Sequence, residues 1–299
     1  MNTEMNRRRF LTASSIAAAG TLLPNLTQAA PKSRFPIIGF SKPFQSLSYK
    51  DTADMVSDIG WDGIECPVRP KGQIEPERAT DELPKLVEAL RKNGKEITLM
   101  TTRIRGVDEP HTETLLRTAA KLGIKKYRMD YWKYDRNRPV MDQLNEHKAK
   151  IKELAAMSAE FGIQCNYQNH SGKAYVGAAV WDIHYMIKDL DPKGVGVCFD
   201  IGHATAEGGY AWETHAQLME PRYGVIYMKD FKWAKTSKGW KATWCPVGEG
   251  MVNKVYFERL KKSSYKGAIS QHHEYPEAKG SEMVKYLKRD LKALKAWLA

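Results

Sequence analysis

Eight times along the chain a short apolar run of strand type is followed by a longer stretch with helical spacing, and this alternation limits the fold more tightly than any other feature of the sequence. The strand runs are Phe35–Phe40, Gly63–Cys66, Glu96–Thr101, Lys125–Asp130, Gln164–Gln168, Gly194–Asp200, Gly224–Lys229 and Lys266–His272. Between them apolar residues recur every three or four positions, as in Leu83, Leu86 and Leu90 or Ile151, Leu154 and Met157, so each helix has one face to lay over a pair of strands. Strands joined in this way run parallel, and eight units predict a closed α/β barrel, (β/α)8, forming a single domain over residues 33–299. An open doubly wound sheet uses the same elements, but no G-x-G-x-x-G follows the first strand.

The amino terminus stands outside this pattern. Arg7, Arg8 and Arg9 precede Phe10-Leu11, a small apolar stretch runs from Ile16 to Leu23, and Thr27-Gln28-Ala29 offers a small-residue cleavage site. Residues 1–29 read as a twin-arginine export signal, so a periplasmic or equivalent exported destination is expected, reached by a protein already folded.

No run approaches the roughly 20 apolar residues of a membrane-spanning helix, so no membrane span is expected in the mature protein. The net charge of +12 would suit an acidic partner. The lysines, however, are spread along helical faces, such as Lys148, Lys150 and Lys152 or Lys285, Lys288 and Lys292, which favours solvated surfaces over a nucleic-acid site. Cys66, Cys165, Cys198 and Cys245 lack any C-x-x-C spacing and three of them fall in strand runs, so buried thiols are expected and not a zinc site.

In a barrel of this kind reacting groups sit at the carboxyl ends of the strands and in the loops that follow. Those positions are polar here: Glu65 and Arg69 on the second strand, Asn166, Gln168 and His170 on the fifth, Asp200 and His203 on the sixth, Tyr227 and Lys229 on the seventh, His272 and Glu274 on the eighth. Side chains alternate along a strand, so residues two apart share a face. Parity does not separate inward from outward, and on the eighth strand Gln271 with His273 is the alternative set. Lys42 and Gln45 follow the first strand. Trp132, Trp212, Trp233, Trp240 and Trp244 lie in or beside loops after strands, where aromatic faces can stack on the ring of a ligand. Glu249 sits between glycines in a long segment after the seventh strand, a place for a lid.

Several segments follow one another in a telling order: Gly60-Trp61-Asp62-Gly63-Ile64-Glu65 with Val68-Arg69-Pro70, Tyr167-Gln168-Asn169-His170-Ser171-Gly172, Phe199-Asp200-Ile201-Gly202-His203-Ala204, Tyr227-Met228-Lys229-Asp230, Pro246-Val247-Gly248-Glu249-Gly250 and His272-His273-Glu274-Tyr275. Together they resemble the xylose isomerase-like TIM barrel superfamily, in particular its sugar phosphate isomerase/epimerase group with exported members, over essentially the whole mature chain. The resemblance implies a small-molecule carbohydrate as substrate and one divalent cation, Mn²⁺ or Mg²⁺. In the family that cation is held by a Glu after strand five, an Asp after strand six, a His on strand seven and a Glu on strand eight. Asp200 matches, whereas Gln168 stands for the first Glu, Tyr227 for the His, and Gln271 or His272 for the last Glu. Amide oxygen and imidazole still ligate metals, so Asp200, Gln168 and His272 are the candidate ligands, at lower charge and lower expected affinity.

Isomerisation, epimerisation and elimination from a keto-sugar all begin by removing a proton beside a carbonyl, which needs a base and a group that stabilises the enediolate. The candidate catalytic residues are Glu65, His170, His203, Lys229 and Glu249, and the candidate substrate contacts are Lys42, Gln45, Arg69, Trp132, Trp233 and Glu274. Structural roles compete: a buried Glu65–His170 pair, an ion pair of Lys229 with Asp230 or Glu249, a surface position for Arg69, a solvent-facing turn for Glu249. The expected function is a carbohydrate isomerase or epimerase, or a keto-sugar lyase, acting on a non-phosphorylated or oxidised sugar. The alternative is a non-catalytic periplasmic sugar-binding barrel that has lost its metal, suggested by Gln168 and Tyr227. A metal-dependent DNA nuclease on the same barrel is disfavoured by export and by the shortage of His and carboxylate ligands, so no nucleic acid is expected; a homo-oligomer stays open.

Overall fold

The computed structural model describes residues 34–237, 239–276 and 282–299, and the expected export signal lies outside the described residues. All eight expected strands form: β1 (Ile37–Phe40), β2 (Gly63–Pro67), β3 (Ile97–Thr101), β4 (Lys126–Arg128), β5 (Gln164–Gln168), β6 (Val195–Asp200), β7 (Tyr223–Met228) and, after the hairpin β8 (Asp230–Thr236) and β9 (Gly239–Cys245), β10 (Ile269–Gln271). β1 to β7 and β10 close into one parallel barrel in chain order, with β1 pairing both β2 and β10. No helix among the described residues is long and apolar enough to cross a membrane.

The helices cover the outside of the barrel because each carries an apolar stripe. In α2 (Ala79–Lys92) the buried residues are Ala79, Leu83, Leu86, Val87 and Leu90; in α4 (Val140–Glu160) they include Leu144, Ile151 and Leu154. The first helix, α1 (Tyr49–Ile59), starts where the Ser48 side chain accepts the Asp51 N–H and stops at Gly60, whose φ of 91° suits the left-handed C-terminal position. Most of the apolar core lies between strands and helices, while Ile38, Leu99, Cys198, Val225, Tyr227 and Ala268 form a separate small cluster. All four cysteines are buried free thiols.

One element is absent from the sequence expectation. Residues 230–245, read as part of a long loop, form the antiparallel hairpin β8–β9, paired from Asp230↔Cys245 to Thr236↔Gly239. Both of its faces are largely exposed, so it lacks the one-sided apolar alternation by which a strand is recognised. Its base is closed by the Asp230 carboxylate, which accepts N–H groups from Phe231, Gly248, Gly250 and Val252 at 2.9–3.0 Å.

Closure between β1 and β10 depends on a tight fit. Trp61 is fully buried, and its indole N–H donates to Gln271 Oε1 at 2.8 Å. The ring lies so close to β1 that a Cβ on Gly39 would come within 2.2 Å of three of its atoms. Gly39→Ala is therefore expected to destabilise the protein by about 1–3 kcal/mol in urea unfolding through overpacking. In a Trp61→Leu background, where the clashing ring is gone, Gly39→Ala should cost less than it does in the parent protein, and an unchanged unfolding midpoint for the single Gly39→Ala variant would disprove the constraint.

Candidate active site

The register settles which parity faces inward. On β10 and its loop, Gln271 points out, its Nε2 donating to the Leu287 carbonyl of α9 (Met283–Leu298), and His273 lies 3.4 Å from Asp290 of the same helix. Ser270 and His272 point in, and both reach Glu65 Oε2, at 2.7 and 2.9 Å. The Tyr227 hydroxyl donates to Glu65 Oε1 at 2.8 Å, and the Thr101 hydroxyl donates to the same oxygen. Glu65 is thus a fully buried carboxylate with four side-chain donors. Burial pushes its pKa up, but His272, Arg128 and the hydrogen bonds outweigh burial and hold it at about 2. Its partner is His272 and not the His170 of the competing sequence account.

Lys229, the residue after β7, is the charged centre of the barrel mouth. Its Nζ lies 3.2 Å from Asp200 Oδ2 and 3.4 Å from Glu274 Oε2, and sits over the Trp244 ring at 4.5 Å. Burial works against the ammonium, but Asp200 and Glu274 outweigh it and hold the pKa above the ordinary lysine value. Glu274 answers: burial would raise it, yet Lys229, His272 and Lys42 hold it at about 2. Neither Asp230 nor Glu249 is the partner of Lys229. Asp200 also caps α6 (Ile201–Gly208), its Oδ1 accepting the His203 N–H at 3.0 Å, and Gly202 leaves room for the Lys229 carbonyl, which a Cβ there would approach to 2.6 Å.

A cavity of about 170 Å³ opens above these groups, lined by Lys42, Arg69, Gln168, His170, Lys229, His272 and Glu274 among the expected residues, with Phe40, Arg128 and Tyr131 added. His170 Nδ1 lies 2.9 Å from the Ser171 carbonyl. A carbonyl only accepts, so Nδ1 carries the proton and Nε2 keeps its lone pair. Burial and then Lys229 push the His170 pKa down to about 4, which leaves the ring neutral near pH 7. His203 stands behind it, ring centroids 4.1 Å apart, almost wholly buried; burial, Lys229 and His170 drive its pKa well down.

Other expected residues do not reach this cavity. Glu249 is half exposed on the turn after the hairpin, 3.6 Å from Lys232 and 3.7 Å from Arg289, as the solvent-facing account has it. The Gln45 side chain donates to the Lys71 carbonyl, and Trp233 stands on the hairpin, 45% exposed, edge-on to Phe231. Trp132 is buried, stacked between His147 and Tyr167, and borders a second cavity further out. Arg128 and Tyr131 escaped the sequence reading. The signal for Arg128 was its place on β4, opposite Asn166 and Thr101, with inward-facing parity.

The candidate metal ligands do not fit a divalent cation. Gln168 Oε1 accepts from the Arg128 guanidinium and the Tyr131 hydroxyl, while its Nε2 donates to Asp200 Oδ2 at 2.9 Å. His272 gives Nε2 to Glu65, and the free oxygen lone pairs of Asp200 face the Lys229 ammonium. Two cations, Lys229 and Arg128, already occupy the neighbourhood a third would enter. Among the described residues no group of three or more His, Cys, Asp or Glu is placed to hold a metal.

A family model described as xylose isomerase-like TIM barrel matches residues 53–297. An uncharacterized protein of Methanocaldococcus jannaschii is 28% identical over 133 residues, and the chain spans 44% of the length of that relative. Among solved structures, a probable 3-DHS dehydratase from Bacillus anthracis superposes with a TM-score of 0.68 at 14% identity, covering 87% of this chain and 99% of that one. A 3-keto-D-glucoside 4-epimerase from E. coli gives 0.65 at 14% identity, covering 88% and 99%. A xylose isomerase-like TIM barrel protein from Mycobacterium smegmatis, in complex with magnesium, gives 0.65 at 15% identity, covering 89% and 99%. At these identities the likeness establishes the barrel.

Removing one member of a buried charge cluster leaves the others without compensation. Lys229→Met is expected to cost about 3–5 kcal/mol in chemical unfolding at pH 7, by leaving Asp200 and Glu274 beside each other without their cation. Pairing it with Glu274→Gln should return part of that loss. Equal stability of the single variant and the parent protein would refute the assigned pairing.

Proposed function

The chain belongs to the xylose isomerase-like TIM barrel family, and from that premise we propose that it is a carbohydrate isomerase or epimerase, with keto-sugar elimination as the other branch of the same chemistry, in which His170 removes a proton beside a carbonyl. The observation that carries this is a permanently charged, buried ammonium, Lys229, lining the same small cavity as a neutral histidine with a free ring nitrogen. His170 Nε2 takes the proton from carbon, and the electron pair moves into the carbon–carbon bond and onto the carbonyl oxygen. The enediolate charge is then met by Lys229, with Arg128 beside it. Glu274 and Asp200 hold Lys229 in place. Glu65 orients His272, which delivers a proton from the β10 side of the cavity. Placed on the neighbouring carbon, while the proton of the adjacent hydroxyl passes to the former carbonyl oxygen, it completes isomerisation. Placed on the same carbon from the other face, with the electron pair returning from oxygen to restore the carbonyl, it completes epimerisation.

Lys42 and Arg69 contact the substrate hydroxyls in this scheme, and no step passes through a divalent cation, because the groups once assigned to it are committed to Arg128, Lys229 and Glu65. A base must be unprotonated to act. With its pKa pushed down to about 4, His170 keeps activity as pH falls well past the ordinary histidine value of ~6.5, and loses it only through about pH 4.

The test is deuterium incorporation from D₂O into non-phosphorylated keto-hexoses and 3-keto-glycosides, followed by NMR. The wild type is expected to exchange a carbon-bound proton, with the acid limb of kcat/KM near pH 4, and to keep its rate after dialysis against EDTA. His170→Asn should lower kcat by about 10²–10⁴-fold while calorimetric sugar affinity stays within a few-fold. Loss of activity on chelation would overturn the role of Lys229, and sugar binding without exchange would leave the non-catalytic barrel standing.

Export through the twin-arginine pathway belongs to the same proposal, on the strength of Arg7, Arg8 and Arg9 ahead of the apolar stretch. Replacing the three by Lys should retain the full-length chain in the cytoplasm of an expressing bacterium, as read by fractionation. Unchanged periplasmic delivery of the triple variant would rule out that route.

A further inference from the structure

A second cavity adjoins the inner one and shares two of its lining residues. Beyond Arg69 and Tyr131, which line both spaces, lies a basin of about 580 Å³, more than three times the roughly 170 Å³ of the inner one. One sugar ring suits the smaller space, and the larger leaves room for a second.

The charge of the basin is one-sided. Arg69, Arg103, Arg105 and Lys133 contribute four cations from the loops after β2, β3 and β4, against the single carboxylate of Asp130. Asp130 lies 3.4 Å from Arg103, and Arg105 is paired with Glu109 at 3.3 Å, outside the basin. Arg69 has no carboxylate within ion-pair distance among the described residues; its guanidinium lies over the Phe40 ring at 5.7 Å. Burial, and then the repulsion of Arg128 and Arg103, push its pKa below the ordinary arginine value. Lys133 has no carboxylate within ion-pair distance among the described residues and rests over the Tyr175 ring at 5.1 Å. Buried Arg128 lines the inner cavity next to the basin, and its Nε has no hydrogen-bond partner among the described residues.

With no carboxylate partner among the described residues, Arg69 and Lys133 stand beside the paired Arg103 and Arg105, so the basin keeps a positive excess. A ligand anion placed among these cations relieves their repulsion while accepting charge-assisted hydrogen bonds. Tyr131 and Tyr175 supply aromatic walls beside them, with the edge of buried Trp132 at the border, which suits the apolar face of a sugar ring. We propose that the basin is a subsite for a sugar unit bearing an anionic substituent, a carboxylate or a sulfate ester, linked to the unit that reacts in the inner cavity. This rests on the function proposed above, and it narrows the substrate to an acidic disaccharide or longer oligosaccharide. Arginine forks match the planar carboxylate in two-point contact, so a uronic acid is the substituent expected to bind tighter.

Calorimetry on the mature full chain with cellobiose, cellobiouronic acid and a sulfated cellobiose tests it without requiring turnover. Cellobiouronic acid should bind at least ten-fold tighter than cellobiose, and that advantage should shrink between 50 and 500 mM NaCl, as surface-exposed ion pairing does over roughly this range of screening. Arg103→Gln/Lys133→Gln, changing two groups of the basin that do not line the inner cavity, should remove most of the preference, so that the affinities for cellobiouronic acid and cellobiose converge. A stronger preference for the sulfated sugar assigns the anion to sulfate. Equal affinity for acidic and neutral disaccharides, or a preference that survives the double variant, overturns the subsite. The two proposals fail separately: acidic binding with no deuterium exchange removes the catalytic scheme alone, and exchange without acidic preference removes the subsite alone.

Discussion

A buried carboxylate inside the barrel constrains everything above it. Glu65 is wholly removed from water, and an ion so placed costs several kcal/mol unless its oxygens are fully hydrogen-bonded. The four donors that satisfy it come from three other strands of the barrel, of which only β3 adjoins β2: Thr101 on β3, Tyr227 on β7, and Ser270 with His272 on β10 and its loop. Because two of these lie two residues apart on one chain, a slip of β10 by a single residue would turn both outward and leave the carboxylate without them. Glu65 therefore fixes the register of the last strand and, through it, the side of the cavity on which His272 and Glu274 stand. Its contribution to the site is made through His272, which it orients.

Much of this was legible in the sequence. The alternation of strand runs and amphipathic stretches led to the barrel, because each helix has to bury a stripe and each strand of a parallel sheet is covered. Parity grouped 168 with 170, 227 with 229 and 272 with 274 correctly. It left the inward face of the eighth strand undecided between Gln271 and His272, and only contacts from Trp61 and Leu287, more than 200 residues and 16 residues away, decide that. The partners of Lys229 were out of reach for the same reason. The nearest acids in sequence, Asp230 and Glu249, were the natural guesses, yet Asp230 turns away to hold backbone N–H groups at the base of the hairpin while Asp200 and Glu274 arrive from other strands.

Two of the departures from the family pattern, Gln168 and Tyr227, become one coherent change once the contacts are known. A glutamate at 168 could only accept, and would place a second negative charge beside Asp200. The amide does both things the position needs: its nitrogen donates to Asp200 and its oxygen accepts from Arg128. Tyr227, where an imidazole is usual, donates to Glu65 and adds to the donors that keep that carboxylate ionised. Lys229 sets its ammonium 3.2 Å from Asp200, so the aspartate has its counter-charge within the protein.

The direction of the Lys229 shift also limits what that charge can do. A lysine that attacks carbonyls must spend time as the free amine, which enzymes arrange by desolvating it or setting it beside another cation so that its pKa falls. Burial alone would have done this here, but the two carboxylates at 3.2 and 3.4 Å reverse the effect and hold the ammonium protonated. Lys229 is thereby suited to electrostatic stabilisation and hydrogen bonding and unsuited to forming an imine. The proton-transfer work passes to a group whose environment moves it the other way, and His170, pushed down by burial and by this same ammonium, is that group. One fixed cation thus sets both halves of the site: it holds charge where an oxyanion would form and keeps the neighbouring base neutral.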